Sequence, residues 1–284
     1  MADHAAVFPV RLMARVLRVS CSGYYASRHR PPSARAERDA DLTTQIAVVH
    51  RVSRGTYGAP RVQEALQQAG ERVSRKRVAR LMYAATLVGK TSRRWRASSP
   101  SDPTAATPNV LARDFAPSTA LNARWGADIT YLHYDGGTAY LAVVQDLASR
   151  AIVGWALAPH LLTTLPAAAL RRALLRPRLG RVLHHSDRGV QYVSAPYRAL
   201  LAAHEITPSL SAVGNCYDNA VVESFFATLK RECAYRACAS VRALRHTISD
   251  YIDGWYNPHR LHSSLDYQSP QQYENRIRHA AQAA

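Results

Sequence analysis

From Arg124 onward the apolar spacing of this 284-residue chain changes from the period of helices to that of strands, and this narrows its fold most. Trp125–His133 reads as a strand, Asp135-Gly136-Gly137 as a hairpin turn, and Thr138–Asp146 as a second strand. Ala151–Leu157 makes a third strand after a short turn. The helical period returns at Thr163–Leu175, followed by a strand at Arg181–His185, a helix at Ser194–His204 and a short strand at Ile206–Leu210. After a loop at Ala212–Tyr217, a long helix begins near Asp218 and runs past Lys230. The order β-β-β-α-β-α-β-α predicts an α/β fold, a mixed five-stranded sheet with flanking helices.

Three strands in a meander followed by alternating helices match a ribonuclease-H-like sheet. The part of the chain before it reads as all-α. Residues 1–32 form a short helical segment in which Ser20 or Ser22 caps a helix and Pro31-Pro32 ends it. Residues 36–90 form a helix-turn-helix region. One helix runs from about Ala36 to Val52, the Ser53–Arg61 stretch breaks it, a second stops at Gly70, and Ser74 caps a third from Arg75 to about Leu87. Arg75, Lys76 and Arg77 fall in the first turn of that last helix, where cations oppose the helix dipole at a cost of a few tenths of a kcal/mol each. Contact with DNA at the start of a recognition helix accounts for them; a solvated charge run is the alternative. Residues 91–120, rich in Ser, Thr, Pro and Arg, read as an extended linker, with Trp95 among Arg93, Arg94 and Arg96. Residues 121–284 form the sheet domain with a C-terminal helical tail.

The formal net charge of +17 points to a polyanionic partner, most simply nucleic acid. Residues 1–109 carry 19 Lys+Arg against 7 Asp+Glu, whereas residues 110–284 carry 18 against 13, so the front of the chain reads as the grip on DNA. Four cysteines, at 21, 216, 233 and 238, make no CxxC pair and read as reduced thiols of a cytoplasmic protein; Cys216 lacks a partner base that would make it a nucleophile. No apolar run reaches the roughly 18 residues of a membrane span.

Three of the acids stand in unusual frames. Asp128 lies in Trp-Gly-Ala-Asp-Ile-Thr-Tyr (125–131), Asp187 in His-His-Ser-Asp-Arg-Gly (184–189), and Glu223 in Asp-Asn-Ala-Val-Val-Glu-Ser-Phe-Phe (218–226). Asp128 projects from the first strand, Asp187 follows the fourth strand, expected beside the first, and Glu223 lies near the start of the last helix on its buried side. An unpaired carboxylate there is costly, and a metal ion removes the cost. Hard divalent cations take such oxygen ligands, and a pair of them relieves the charge that protects a phosphodiester. Around the acids, Arg188 reads as a phosphate contact. Lys230, seven residues beyond Glu223, reads as a DNA contact or a solvated lysine. His184 and His185 read as donors behind the acids or as strand-end packing, and Asn219 as a cap or an orienting residue of the Glu223 helix. His259-x-x-His262 carries only a weak zinc signal.

Thirty-five residues separate Asp187 from Glu223, a D…D-35-E spacing that resembles the retroviral-integrase and transposase superfamily. The three frames, with Ser-Arg-Gly-Thr-Tyr-Gly-Ala-Pro-Arg-Val (53–62) and the tail Tyr-Ile-Asp-Gly-Trp-Tyr-Asn-Pro-His-Arg-Leu-His-Ser-Ser-Leu-Asp-Tyr-Gln-Ser-Pro (251–270), resemble the OrfB-type catalytic protein of the insertion-sequence-three family. The resemblance implies a DDE-type DNA transposase, a polynucleotidyl transferase that cuts at mobile-element ends and joins the freed 3′-hydroxyl to another phosphate. It further implies Asp128, Asp187 and Glu223 as catalytic metal ligands for two Mg²⁺ (or Mn²⁺) ions, with Asp128 bridging. Element-end and target DNA are the implied partners, with a homo-oligomer on DNA and an upstream-frame helix-turn-helix protein or frameshift fusion. The implied place is the bacterial cytoplasm, at the chromosome. A nuclease on the same fold, or a non-catalytic DNA-binding remnant acting as a repressor, are the rival readings.

Overall fold

The computed structural model describes residues 1–90, 108–111, 120–178, 180–212, 219–233 and 235–283. Most of the expected linker, including Trp95, and the loop with Cys216 and Asp218 lie outside the described residues.

Among the described residues, five α-helices precede the sheet: α1 (Val10–Val16), α2 (Cys21–His29), α3 (Ala34–Val52), α4 (Ala59–Gln68) and α5 (Arg75–Ala84). Serine hydroxyls cap three of them: Ser20 accepts from the Gly23 amide, Ser33 from Ala36 and Ser74 from Arg77. The sequence offers Ser20 or Ser22 as one cap and places Ser74 as another, but it starts α3 two residues late, at Ala36. Leu42 and Ile46 of α3, Val62 and Leu66 of α4, and Val78, Leu81 and Met82 of α5 are buried together.

The sheet holds β1 (Arg124–Tyr134), β2 (Gly137–Asp146), β3 (Ile152–Ala158), β4 (Leu183–Ser186) and β5 (Thr207–Leu210) in the order β3-β2-β1-β4-β5. β1, β2 and β3 form an antiparallel meander; β4 joins β1, and β5 joins β4, in parallel. This is the mixed five-stranded sheet expected, within a residue or two at each strand end. Of residues 108–111, the amides of Val110 and Leu111 donate to Ser209 Oγ, so this part of the chain lies along β5.

Strand alternation divides the core. Ala142 and Val144 of β2 join Trp125 and Ala127 of β1 under α6 (Thr164–Ala173) and α8 (Ala195–Ala203), with the short α7 (Val190–Val193) before α8. Leu141 and Val143 join Leu132 on the other face, under α9 (Ala220–Glu232). α6 lies very close to β3, where a Cβ on Gly154 would sit 2.1 Å from the Ala169 carbonyl oxygen.

The tail continues that second face. α10 (Val241–Tyr251) runs through a π-type turn at Ile252–Tyr256 into α11 (Asn257–His259), and α12 (Pro270–Gln282) begins at a capping box made by Ser269 and Gln272. Leu261 donates its amide to Tyr57 Oη at 2.7 Å, and Arg61 Nε donates to the Leu261 carbonyl at 3.0 Å. The front motif and the tail motif, 200 residues apart, thus meet each other, and one apolar cluster runs from α3–α5 through the tail to the sheet. Among the described residues no helix is long and apolar enough to cross a membrane.

Candidate active site

Strand register brings the first two acids together. Ala127 pairs with Ser186 in the parallel β1–β4 ladder, so the next step along both chains is Asp128 beside Asp187. Parallel strands lie about 4.8 Å apart, so the two carboxyls emerge as neighbours. Each is steered by a local amide: Ile129 N donates to Asp128 Oδ1 at 2.7 Å, and Gly189 N to Asp187 Oδ1 at 3.0 Å.

Helix α9 brings the third. Val222 packs over Gly126, two residues before Asp128, and Asn219 Nδ2 donates to the Ala127 carbonyl at 3.3 Å. Asn219 therefore orients α9 by holding β1 and makes no side-chain cap. Val222, Phe225, Phe226 and Leu229 are buried, while Glu223 is half-buried at the rim, less enclosed than its spacing from Phe226 predicts.

The three carboxylates load one another. Burial pushes Asp128 well above the usual carboxylate range, the charges of Asp187 and Glu223 push it further, and the Ile129 amide and Lys230 oppose them. Asp187 is raised by burial against the Gly189 amide, and Glu223 by burial and then Asp187. Among the described residues no ion pair reaches any of the three. Uncompensated hard-oxygen donors in a basic protein fit Mg²⁺ or Mn²⁺. Among the described residues no three His, Cys, Asp or Glu side chains close on one ion.

The surroundings sort the other candidates. Lys230 Nζ lies 4.8 Å from the centre of the Tyr131 ring. Burial lowers its pKa and the Asp128 charge raises it. Arg188 donates from Nε to the Ser211 carbonyl at 2.8 Å, so part of its guanidinium is committed within the fold. His184 and His185 are buried and hydrogen-bonded within the fold: His184 Nε2 bonds Tyr197 Oη at 3.0 Å, and His185 bonds Ser209 Oγ at 2.9 Å. Burial lowers the His184 pKa to about 4, so it is neutral. In α5, Arg77 is held by Asp39 at 2.8 Å alongside Arg80, whereas Arg75 and Lys76 are exposed. A fold-stabilising partner for Arg77 is thus a correction to the reading of that triplet as unexplained by stability. His259 and His262 lie against different rings, Trp255 and Tyr256, and join no metal cluster among the described residues.

Two features were missed in the sequence. Tyr192 is buried, its hydroxyl has no hydrogen-bond partner among the described residues, and the charges of Asp128 and Asp187 reach it. Glu232, at the far end of α9, takes a bidentate pair from Arg260 at 2.8 Å and a bond from Tyr251 Oη at 3.0 Å. A lone Glu at a helix end and an Arg in a distant tail carry no local sign of meeting.

Residues 118–216 and 204–270 match families described as integrase core domain, and residues 36–95 match one described as HTH-like domain. The chain is 40% identical over 278 residues to the transposase InsF for insertion sequence IS3A of Escherichia coli (strain K12), with 96% of each chain covered. It is 40% identical over 276 residues to the insertion element IS600 uncharacterized 31 kDa protein of Shigella sonnei, covering 95% of this chain and 100% of that one. Among solved structures it is similar to the simian T-cell lymphotropic virus intasome in complex with PP2A regulatory subunit B56 gamma. That likeness has 17% identity and a TM-score of 0.47 over 81% of this chain and 74% of that one.

Proposed function

The chain belongs to the family of insertion-sequence transposases with an integrase core domain, and from this we propose that it cuts DNA at mobile-element ends and joins the freed 3′-end to target DNA. The observation that carries the reading is the convergence of Asp128, Asp187 and Glu223, mutually repelling and in no ion pair among the described residues. Two Mg²⁺ (or Mn²⁺) ions, when bound, supply the positive charge that lets a nucleophile approach a phosphodiester. Asp128, Asp187 and Glu223 would hold these ions through their carboxylate oxygens. The Ile129 and Gly189 amides keep one oxygen of each aspartate turned, which leaves the other for ligation.

In the first reaction a water oxygen bonds to phosphorus, the bond to the 3′-oxygen breaks, and that oxygen takes a proton. In the second, the new 3′-hydroxyl attacks a target phosphate, losing its proton as the target's own 3′-oxygen leaves and gains one. No covalent protein–DNA link forms. Arg75 and Lys76 at the start of α5 contact the element end, and Arg188 and Lys230 contact phosphates near the acids. The protein works in bacterial cytoplasm as a homo-oligomer on DNA, with an upstream-frame helix-turn-helix protein or fusion as a further partner.

The test is an assay that separates cutting from joining, with Asp128→Ala, Asp187→Ala and Glu223→Ala. Each substitution is expected to abolish both reactions while DNA binding persists. Joining by all three variants would refute the reading, and cutting without joining by the unsubstituted chain would make it a nuclease.

A further inference from the structure

β4 accompanies β1 only from Arg124 to Ala127, so among the described residues no strand covers that edge of β1 beyond Asp128. Tyr131 stands on this stretch with 52% of its surface exposed. The His133 ring lies beside it, centres 5.0 Å apart and planes at 52°, and is pinned by a 2.9 Å bond to Thr138 Oγ1. Lys230 of α9 reaches over the ring from the other element.

The position of this group relative to the acids follows from two repeats. Three strand residues at about 3.3 Å each put Tyr131 about 10 Å along β1 from Asp128 and on the opposite strand face, and Lys230 links the two, its ammonium over the ring and its charge reaching Asp128. Seven helix residues at 1.5 Å put Lys230 about 10.5 Å from Glu223. Three duplex rises of about 3.4 Å span that distance, so an unpaired and more extended strand that passes round this edge meets the ring within about three nucleotides of the reacting phosphate. A single exposed tyrosine is ordinary. An exposed ring flanked by a second ring and a half-buried ammonium, on a strand edge that no further strand covers among the described residues and beside a phosphate-processing site, has the composition of a stacking platform for single-stranded nucleic acid.

We propose that Tyr131, supported by His133 and Lys230, is the stacking seat for an unpaired nucleobase of the DNA strand held in the acidic site. This rests on the proposed reading of that site as one that processes DNA. The ring takes the π-face of the base, which gives tolerance of sequence, and Lys230 neutralises the adjoining phosphate. Frayed or pre-opened ends then bind better than blunt duplex, because the unpairing cost is already met.

The experiment uses the full chain and a duplex with a three-nucleotide unpaired 3′-end, in which 2-aminopurine replaces one base at a time. Stacking on the tyrosine quenches the probe at one position near the end in the unsubstituted chain and in Tyr131→Trp. Tyr131→Ala loses that quench and binds the frayed duplex about 5- to 150-fold more weakly, the range measured for removing one base–aromatic stack. The salt dependence of binding stays unchanged in Tyr131→Ala and becomes shallower in Lys230→Ala, since only the latter removes a cation. Equal quenching with and without the ring, or equal affinity for frayed and blunt DNA, overturns the proposal. The quench reports binding alone, so a chain that stacks the base but never joins DNA would sink the proposed function and leave this inference standing.

Discussion

Gly126 and Val222 approach so closely that a Cβ on the glycine would sit 2.8 Å from Val222 Cγ2. This contact sets how near α9 lies to β1, and hence how near Glu223 comes to Asp128. The same missing Cβ would stand 3.1 Å from Leu147 Cδ2, so there is no slack on the other side.

Gly126→Ala is therefore expected to lift α9 by a few tenths of an ångström. Overpacking of this kind costs about 1–3 kcal/mol. Thermal melting should fall by several degrees, and joining activity should fall further than the folded fraction accounts for. Melting and joining both equal to the parent would show that α9 has room to spare.

Asp128 binds a proton more readily in the folded protein than in the unfolded chain, because burial and then Asp187 raise its pKa. The stability gained from that proton is full below the unfolded value of about 3.9 and is lost as pH rises through the raised folded value. Without divalent ions, a carboxylate held ionised in this site is a net cost. Asp128→Asn should then melt higher than the parent in chelator. It should also lose the rise that Mg²⁺ gives the parent, about 2.7 kcal/mol at a hundred times Kd. Calorimetry in chelator and in Mg²⁺ checks both; an asparagine variant that melts lower in chelator contradicts the sign.

Arg260 and Glu232 are almost wholly buried, with 3% and 1% of their side chains exposed. Removing one partner, as in Arg260→Ala, strands a buried charge and should cost about 3–5 kcal/mol in urea unfolding. The double variant Glu232→Leu with Arg260→Met should lose much less. Arg260 holds the Glu232 carboxyl below its usual range against burial. The pair's contribution is thus present above the unfolded value of about 4.3 and is lost as pH falls through the folded one. The deficit of Arg260→Ala should shrink in acid, and a deficit independent of pH would point to packing alone.

Arg75 and Lys76 are exposed, while Arg77 is tied to Asp39. Arg75→Ala and Lys76→Ala should each weaken DNA binding at every sequence and lower the salt slope by about 1, with melting unchanged. Arg77→Ala should lower melting slightly through the lost pair. Identical salt slopes in Arg75→Ala, Lys76→Ala and the parent would move the DNA contact off the start of α5.

What the sequence determined by itself was local. Its periods marked all five strands to within a residue or two, and Ser74, together with the choice of Ser20 or Ser22, marked helix starts, because period and cap are properties of neighbouring residues. The short α7, the π-type turn at Ile252–Tyr256 and the early start of α3 escaped it, since each is shorter than the window in which a period shows. The frames around Asp128, Asp187 and Glu223 named the candidate site but not its geometry.

Tertiary structure decided the rest. Only the parallel register puts Asp187 one step from Asp128, and only the absence of a Cβ at Gly126 lets α9 bring Glu223 to them. Tyr57 meets Leu261, and Glu232 meets Arg260, across long stretches of chain. Strand register, close backbone approach and buried polar pairing depend on which surfaces face each other after folding, and no neighbouring residue in the chain carries that information.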